Sequence, residues 1–344
     1  MLAPGWVACT LCSMSAGREQ DDDVDSPASR SEFSGVEPGL GSAVAEVARA
    51  AADEARPLFA RAWRGLRGRV EELTRSTLGD DFEDRVHELR LHVERRGEDP
   101  FGLDPEVARQ AVKVCAFFHR LYFRTEVHGL ELLPRGRVLL VANHSGQIPI
   151  DAAIVGTALF LDVTPPRFMR AMVDRWTENL PLVSTFFSRV GQVVGDPDNA
   201  RLLLEREELI VTFPEGARGI SKPFGRRYRL EEFGTGFMRL AMELDVPIVP
   251  VAVIGAEEQY INLGNLNWAA RALKMPAFPV LPQVLIPGGQ MPLPTRYRLY
   301  FGEPMRFSEA RDDEDRVRQC TELVRETIQS MVDAGVRKRR GVFF

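Results

Sequence analysis

From about Val127 onward the chain alternates short apolar runs, polar loops and helical stretches, and this alternation constrains its fold more than any other feature. Val138-Leu139-Leu140-Val141-Ala142 is the first run, Leu209 to Phe213 the second and Val246 to Ile254 the third. Helix candidates stand among them at Asp151 to Leu161, Asn199 to Glu208 and Thr235 to Leu244. A short apolar run with little polar interruption is a strand covered on both faces, and helices between such strands provide the cover. The pattern predicts an α/β domain over residues 126–335, with a central, mostly buried sheet flanked by helices.

What precedes this domain has a different character. Residues 17 to 42 are rich in Asp, Glu, Ser, Gly and Pro and too poor in apolar groups to build a core, so residues 1–42 read as a disordered tail. Residues 43–125 read as a helical N-terminal region. Phe59, Trp63, Leu66, Val70 and Leu73 recur at helical spacing, as do Phe82, Val86, Leu89 and Val93. A third helix, from about Pro105 to Arg124, mixes Val114, Phe117, Phe118, Leu121, Tyr122 and Phe123 with His119, Arg120 and Arg124. Two readings stay open for it: a membrane-interface helix with cations at the headgroups, or a helix buried against the core. The closing helix, about Asp312 to Ala334, leads into a basic tail over 336–344 whose Arg337-Lys338-Arg339-Arg340 either touches anionic lipid or is solvated.

The 44 Lys and Arg are outnumbered by 49 Asp and Glu, for a net charge of -5, which argues against a nucleic-acid partner. Cys9 and Cys12 form a single Cys-x-x-Cys pair while Cys115 and Cys320 stand alone, so neither a paired zinc site nor a disulfide framework is indicated. A reducing compartment follows. Leu2 to Ala16 is mildly apolar, lacks Lys or Arg before Arg18 and is too short to span a bilayer. With no transmembrane helix evident elsewhere, the expected location is cytoplasmic and peripheral on a membrane lipid surface.

The chemistry is concentrated in two loops. Asn143-His144-Ser145-Gly146-Gln147-Ile148-Pro149-Ile150-Asp151 follows the first apolar run directly, where α/β proteins commonly keep their sites. A neutral imidazole can take a proton from an alcohol, and a carboxylate can fix its tautomer and stabilise the imidazolium. A structural histidine is the competing reading of that loop. The second run leads into Pro214-Glu215-Gly216-Ala217-Arg218-Gly219-Ile220-Ser221-Lys222, followed by Arg226, Arg227 and Arg229. Glycines let the backbone approach a ligand and the Arg218 fork suits phosphate; the alternative is a charged surface loop with a Glu215 to Arg218 contact. His144 and Asp151 lack further ligands at metal-binding spacing, so no metal is expected. The chain has no Gly-x-Ser-x-Gly elbow, and Ser145 is badly placed as a nucleophile.

Together the loops resemble those of the glycerol-phosphate and lysophosphatidic acid (1-acylglycerol-3-phosphate) acyltransferases. Four blocks match in order: Asn143-His144 with a downstream Asp; Arg189-Val190-Gly191 with Asp196-Pro197-Asp198-Asn199-Ala200; Phe213-Pro214-Glu215-Gly216-Ala217-Arg218; and Val246-Pro247-Ile248-Val249-Pro250-Val251-Ala252. The match runs from about Val127 to Pro304. The resemblance implies a glycerolipid-acyltransferase-like domain in which His144 deprotonates an acceptor hydroxyl that attacks the thioester of acyl-CoA or acyl carrier protein. It gives Asp151 the orienting role, needs no cofactor beyond that co-substrate, and assigns Glu215, Gly216, Arg218, Arg189 and Lys222 to the acceptor and its phosphate. One departure matters: the usual spacing is His-x-x-x-x-Asp, whereas six residues separate His144 from Asp151 and Pro149 stands where Asp is expected. Either Asp151 still reaches His144, or the pair is broken and the chain is an inactive lipid-binding or scaffold protein. The altered motif also suggests an acceptor such as a neutral glyceride or another alcohol, against the phosphate that Arg218 implies.

Overall fold

Along the first apolar run the side chains divide by the period of two that a strand imposes: Leu139 and Val141 pack on one face of a sheet, Val138, Leu140 and Ala142 on the other, and all are buried. A computed structural model describes residues 72, 75–144, 149–272, 277–307 and 313–344. Among them are the strands β1 (Glu126–His128), β2 (Val138–Ala142), β3 (Met169–Val173), β4 (Val193–Val194), β5 (Leu209–Thr212), β6 (Ile248–Ile254) and β7 (Arg298–Phe301), in the order β1-β7-β6-β2-β5-β3-β4. The stretch from β6 to β4 is parallel throughout, while β7 runs antiparallel to β6 and carries β1 parallel to itself. The carboxyl ends of β2, β5 and β6 therefore share one edge of the sheet.

Helices cover both faces, as the alternation required. On one face Leu139, Ile210 and Ile248 meet α5 (Pro197–Glu205), α6 (Gly236–Leu244) and α7 (Glu314–Lys338) through Leu203, Met238, Val324 and Ile328. On the other, Leu140, Val211 and Val251 meet Ile154, Val155 and Leu159 of α3 (Ile150–Leu161). Each such aliphatic side chain, fully buried, contributes roughly 1.5–3 kcal/mol. The helical pair α1 (Phe82–Arg95) and α2 (Pro105–Phe117) closes a further cluster with Phe160 and Leu161 from the end of α3. Arg170 of β3, wholly buried, makes a two-pronged ion pair with Asp99 between α1 and α2, at 2.7 and 3.1 Å. That charge is why β3 does not read as an apolar run. β1, β4 and β7 escape the same reading because they are short or carry polar residues such as Arg298.

Two expectations need correction. The third helix changes form at Phe117 and continues as a π-helical turn, Phe118–Tyr122, so its apolar residues split. Ala116 and Phe123 are buried, whereas Val114, Phe117 and Leu121 face outward. The stretch 336–344 is not a free basic tail. The last helix runs to Lys338, Arg339 makes a two-pronged ion pair with buried Glu258, and the carbonyls of Val342 and Phe344 accept hydrogen bonds from the Arg296 N–H and the Arg298 guanidinium. Docking against β7 leaves Arg337, Lys338 and Arg340 as the exposed cations of that stretch. The expected tail over 1–42, the Cys9 and Cys12 pair and, apart from Glu72, the helix from Phe59 to Leu73 lie outside the described residues. No helix among the described residues is long and apolar enough to cross a membrane.

Candidate active site

The site begins where β2 ends. Asn143, wholly buried, continues the ladder with its side chain: its amide donates to the Val253 carbonyl at 3.0 Å and its carbonyl accepts from the Val253 N–H at 2.7 Å. This fixes the chain as it leaves the sheet and delivers His144 above the strand ends. Pro149 then precedes α3, whose first turn holds Asp151 fully buried, with one carboxylate oxygen accepting from the Ala152 N–H at 2.8 Å. The other oxygen lies 2.8 Å from His144 Nδ1. The longer spacing therefore leaves the pair in contact. The imidazole also stacks on Phe213, ring centroids 4.4 Å apart, and its side chain is 16% exposed; with Nδ1 turned to Asp151, Nε2 is the second ring nitrogen.

The loop after β5 closes on this pair from the side. Gly216 has φ 56° and ψ -143°, a conformation essentially reserved for glycine, and turns the chain into the single helical turn Ala217–Ile220. That turn presses on the dyad: a Cβ on Gly219 would stand 2.9 Å from the Glu215 Cβ and 3.0 Å from the His144 Cβ. Glu215 itself is buried and spans the two loops, accepting from the His144 N–H at 2.9 Å through one oxygen and from the Glu231 N–H at 2.8 Å and Lys222 Nζ at 3.1 Å through the other. It holds the histidine's backbone in place.

Lys222 is a correction to the sequence reading. Its ammonium is buried and reaches Glu215, Glu257 at 3.0 Å and the Arg229 carbonyl at 3.1 Å, one acceptor for each of its three protons. The crevice beside it opens to about 10 Å³, room for no more than a water molecule. Burial works against the charge of Lys222, but Glu257 and Glu215 outweigh it and hold its pKa above the usual range. Burial pushes Glu257 up to about 7, against the opposing pull of Lys222. The physical reason is chiefly desolvation, which disfavours the charged carboxylate; the neighbouring Glu215 charge adds a smaller push in the same direction, because one buried ammonium serves two carboxylates.

The arginines stand apart from this cluster. Arg218 does not contact Glu215, as one reading of the loop had it; its guanidinium donates to the Glu232 carbonyl at 2.9 Å and meets the Glu232 carboxylate at 3.3 Å, both side chains being well exposed. Arg189 ends α4 (Pro181–Arg189) and pairs at 2.7 Å with Asp104, the residue that caps α2. Through that pair Arg189 braces α4 against the start of α2. A cavity of about 260 Å³ lined by His92, Arg95, Arg96 and Phe168 shares no residue with the dyad. Sequence reasoning missed Gly219, Phe213 and Glu257 as parts of the site. The Gly216 and Gly219 spacing carried a signal for the first; nothing local marked Glu257, which meets Lys222 across 35 residues of chain.

A family model described as Acyltransferase matches residues 124–254, a span that contains all four sequence blocks. An uncharacterized protein of Mycobacterium leprae is 36% identical over 255 residues, covering 72% of this chain and 70% of its own. The chain belongs to the acyltransferase family. This agrees with the resemblance carried by the four blocks, and the protein is an enzyme of the acyltransferase class. A mouse protein described as a DGAT1/2-independent enzyme synthesizing storage lipids is 23% identical over 211 residues, 60% of this acyltransferase and 59% of the mouse chain. The 1-acyl-sn-glycerophosphate acyltransferase of Thermotoga maritima aligns in structure over 79% of this chain and 98% of its own, at 18% identity and a TM-score of 0.42.

Proposed function

We propose that this acyltransferase esterifies a glycerolipid acceptor, taking a fatty acyl group from acyl-CoA or acyl carrier protein, in phospholipid or glycerolipid synthesis at a membrane surface. The observation that carries the reading is the 2.8 Å approach of His144 Nδ1 to a fully buried Asp151. Asp151 fixes the imidazole with its Nδ1 proton toward the carboxylate, and Nε2 takes the proton of the acceptor hydroxyl. The hydroxyl oxygen attacks the thioester carbonyl carbon, the carbon–sulfur bond breaks, and the departing thiolate takes the proton back from the imidazolium. Proton and electron pair balance without a metal or redox group. Glu215 and Gly216 shape the acceptor side of the site, and Arg218, exposed beside the turn that presses on His144, meets the acceptor's phosphate or polar head.

The contact between His144 and Asp151 removes the spacing argument for an inactive scaffold. The name of the mouse relative favours storage lipids as one product class, so the acceptor panel must include diacylglycerol. The test is thiol release from long-chain acyl-CoA with glycerol 3-phosphate, lysophosphatidic acid, other lysophospholipids and diacylglycerol in turn, with His144→Ala as control. Release that depends on an acceptor and on His144 names the substrate class. Acceptor-dependent release that survives His144→Ala would overturn the assignment of the base.

A further inference from the structure

Between Glu258 and Glu303 the sequence holds no Asp or Glu, although acidic residues outnumber basic ones in the whole chain. The segment leaves the carboxyl end of β6 and returns at β7, so it sits at the same edge of the sheet as His144 and Glu215. Within it, residues 261–266 and 278–283 lie side by side: the Leu263 N–H donates to Val280, the Leu266 N–H to Phe278, and the Val280 N–H to Gly264. These three bonds tie the two stretches together, and several large apolar side chains of the insert remain exposed. Leu285 is 88% exposed, Trp268 71%, Leu263 66% and Ile286 62%.

Isolated exposed apolar residues need no explanation, but several on one acid-free insert do. The insert is also wired to the site. Asn262 donates to the carbonyls of Ser221 and Lys222 at 3.1 Å, Asn265 donates to Ser221 at 2.6 Å, and the Phe224 N–H donates to the Asn262 carbonyl at 2.8 Å. These bonds hold it against the loop that carries Gly216 and Arg218. Its margin continues onto the π-helical turn, where the Tyr122 hydroxyl donates to the Pro292 carbonyl next to exposed Leu121.

We infer that residues 261–272 and 277–291 of the insert form a bilayer-docking surface that sets the acyltransferase site against an anionic membrane. The identification of a bilayer as the occupant rests on the lipid chemistry proposed above, together with the charge pattern. A surface with aromatic and aliphatic side chains, exposed Arg271 and no carboxylate suits the headgroup boundary of an anionic bilayer, which repels acids and accepts an indole at the interface. The shared edge places that boundary beside the dyad, where an acceptor still seated in its leaflet is within reach of the loop after β5.

The test is flotation of the full chain with phosphatidylcholine vesicles containing about 30% phosphatidylglycerol, which supply the anionic surface potential. The expected result is binding that falls at least about tenfold in a variant carrying Leu263→Ser, Trp268→Ser, Leu285→Ser and Ile286→Ser, as loss of interfacial apolar area demands. A second protein retaining Trp268 as its one tryptophan (Trp6→Phe, Trp63→Phe, Trp176→Phe) should show a blue-shifted emission on vesicles and quenching by brominated lipid, which reads the contact even where the fourfold variant fails to fold. Undiminished flotation of a folded fourfold variant, or bound protein whose Trp268 emission does not move, overturns the inference. So does lipid-independent self-association that the fourfold variant abolishes, which would make the surface an interface between copies. Because flotation needs no turnover, His144→Ala should bind as the unsubstituted protein does, and a failure of the acyl-transfer reading would leave this measurement intact.

Discussion

Two histidine–aspartate pairs occur among the described residues, and they differ in what surrounds them. His144 Nδ1 lies 2.8 Å from Asp151, and His119 Nε2 lies 3.0 Å from Asp162. By distance alone they are alike. His119, however, is wholly buried in the π-helical turn, Asp162 gives its other oxygen to Arg120, and the remaining ring nitrogen Nδ1 has no hydrogen-bond partner among the described residues. His144 stands at the sheet's carboxyl edge with its side chain 16% exposed, and a glycine turn and a buried carboxylate hold its backbone. A short contact makes a histidine orientable; access to the other nitrogen makes it a base.

The comparison breaks most sharply at the two histidines themselves. His144→Ala should lower kcat by about 10²–10⁴-fold, the usual range for a general base, with little change in the midpoint of thermal unfolding. His119→Ala should do the reverse, retaining kcat within a few-fold while destabilising the fold by about 2–4 kcal/mol, because it leaves a cavity and disturbs a buried pair. Steady-state kinetics and thermal melts on both variants check this, and a His119→Ala enzyme that folds normally but is inactive would erase the distinction.

Lys222→Met probes the cluster under the dyad. It leaves Glu215 and Glu257 buried without their cation, a change that typically costs about 3–5 kcal/mol. Denaturant titration should show that loss, and a midpoint unchanged from the parent would mean that Lys222 is not the keystone of the buried cluster. Gly219→Ala is a smaller perturbation of the same wall. Its new Cβ must displace Glu215 or His144 by a few tenths of an ångström, so kcat should fall by about 10-fold to 10²-fold while stability drops by about 1–3 kcal/mol. A variant with full activity would show that the turn is free to yield.

The sequence carried the parts of this site that are local. Asn143 and His144 follow an apolar run, Pro149 marks a helix start and Gly216 marks a turn, and each of these is settled by a few neighbouring residues. The α/β architecture was equally legible, because β2, β5 and β6 are covered on both faces and so read as continuous apolar runs. What stayed hidden depends on distant pairing. β3 carries a buried arginine whose partner is 71 residues away, and Lys222 looks like a ligand for phosphate until Glu257 is seen beside it. A run of basic residues likewise reads as solvated or lipid-facing until Glu258 claims Arg339.

Protonation of Glu257 gives the cluster a signature in pH. Its unfolded carboxyl titrates near 4.5 and its folded one at about 7, so between those values the folded state keeps a proton that the unfolded chain has released. Stability from this group is therefore fully present below pH 4.5, declines as pH rises through the interval and is exhausted above about 7, with a total change of at most about 3 kcal/mol. Glu257→Gln should flatten that decline in urea midpoints measured across the interval. An unaltered slope would move the titrating group elsewhere, and with it the charge balance assigned to Lys222.

Arg218 offers the mildest and most discriminating perturbation, because unlike Lys222 its guanidinium is held, among the described residues, by Glu232 on an exposed surface, where such pairs contribute about 0–1 kcal/mol. Its guanidinium can exchange that partner for an acceptor's phosphate at little energetic cost, which Lys222 cannot do. Arg218→Ala should accordingly raise KM for a phosphorylated acceptor by about tenfold, as loss of one charge-assisted contact implies, and leave KM for acyl-CoA and the melting temperature nearly unchanged. Equal rises for acceptor and donor would place the side chain at the entrance common to both. A KM that does not move for lysophosphatidic acid but does for a neutral glyceride would instead favour the acceptor class suggested by the lengthened loop between His144 and Asp151.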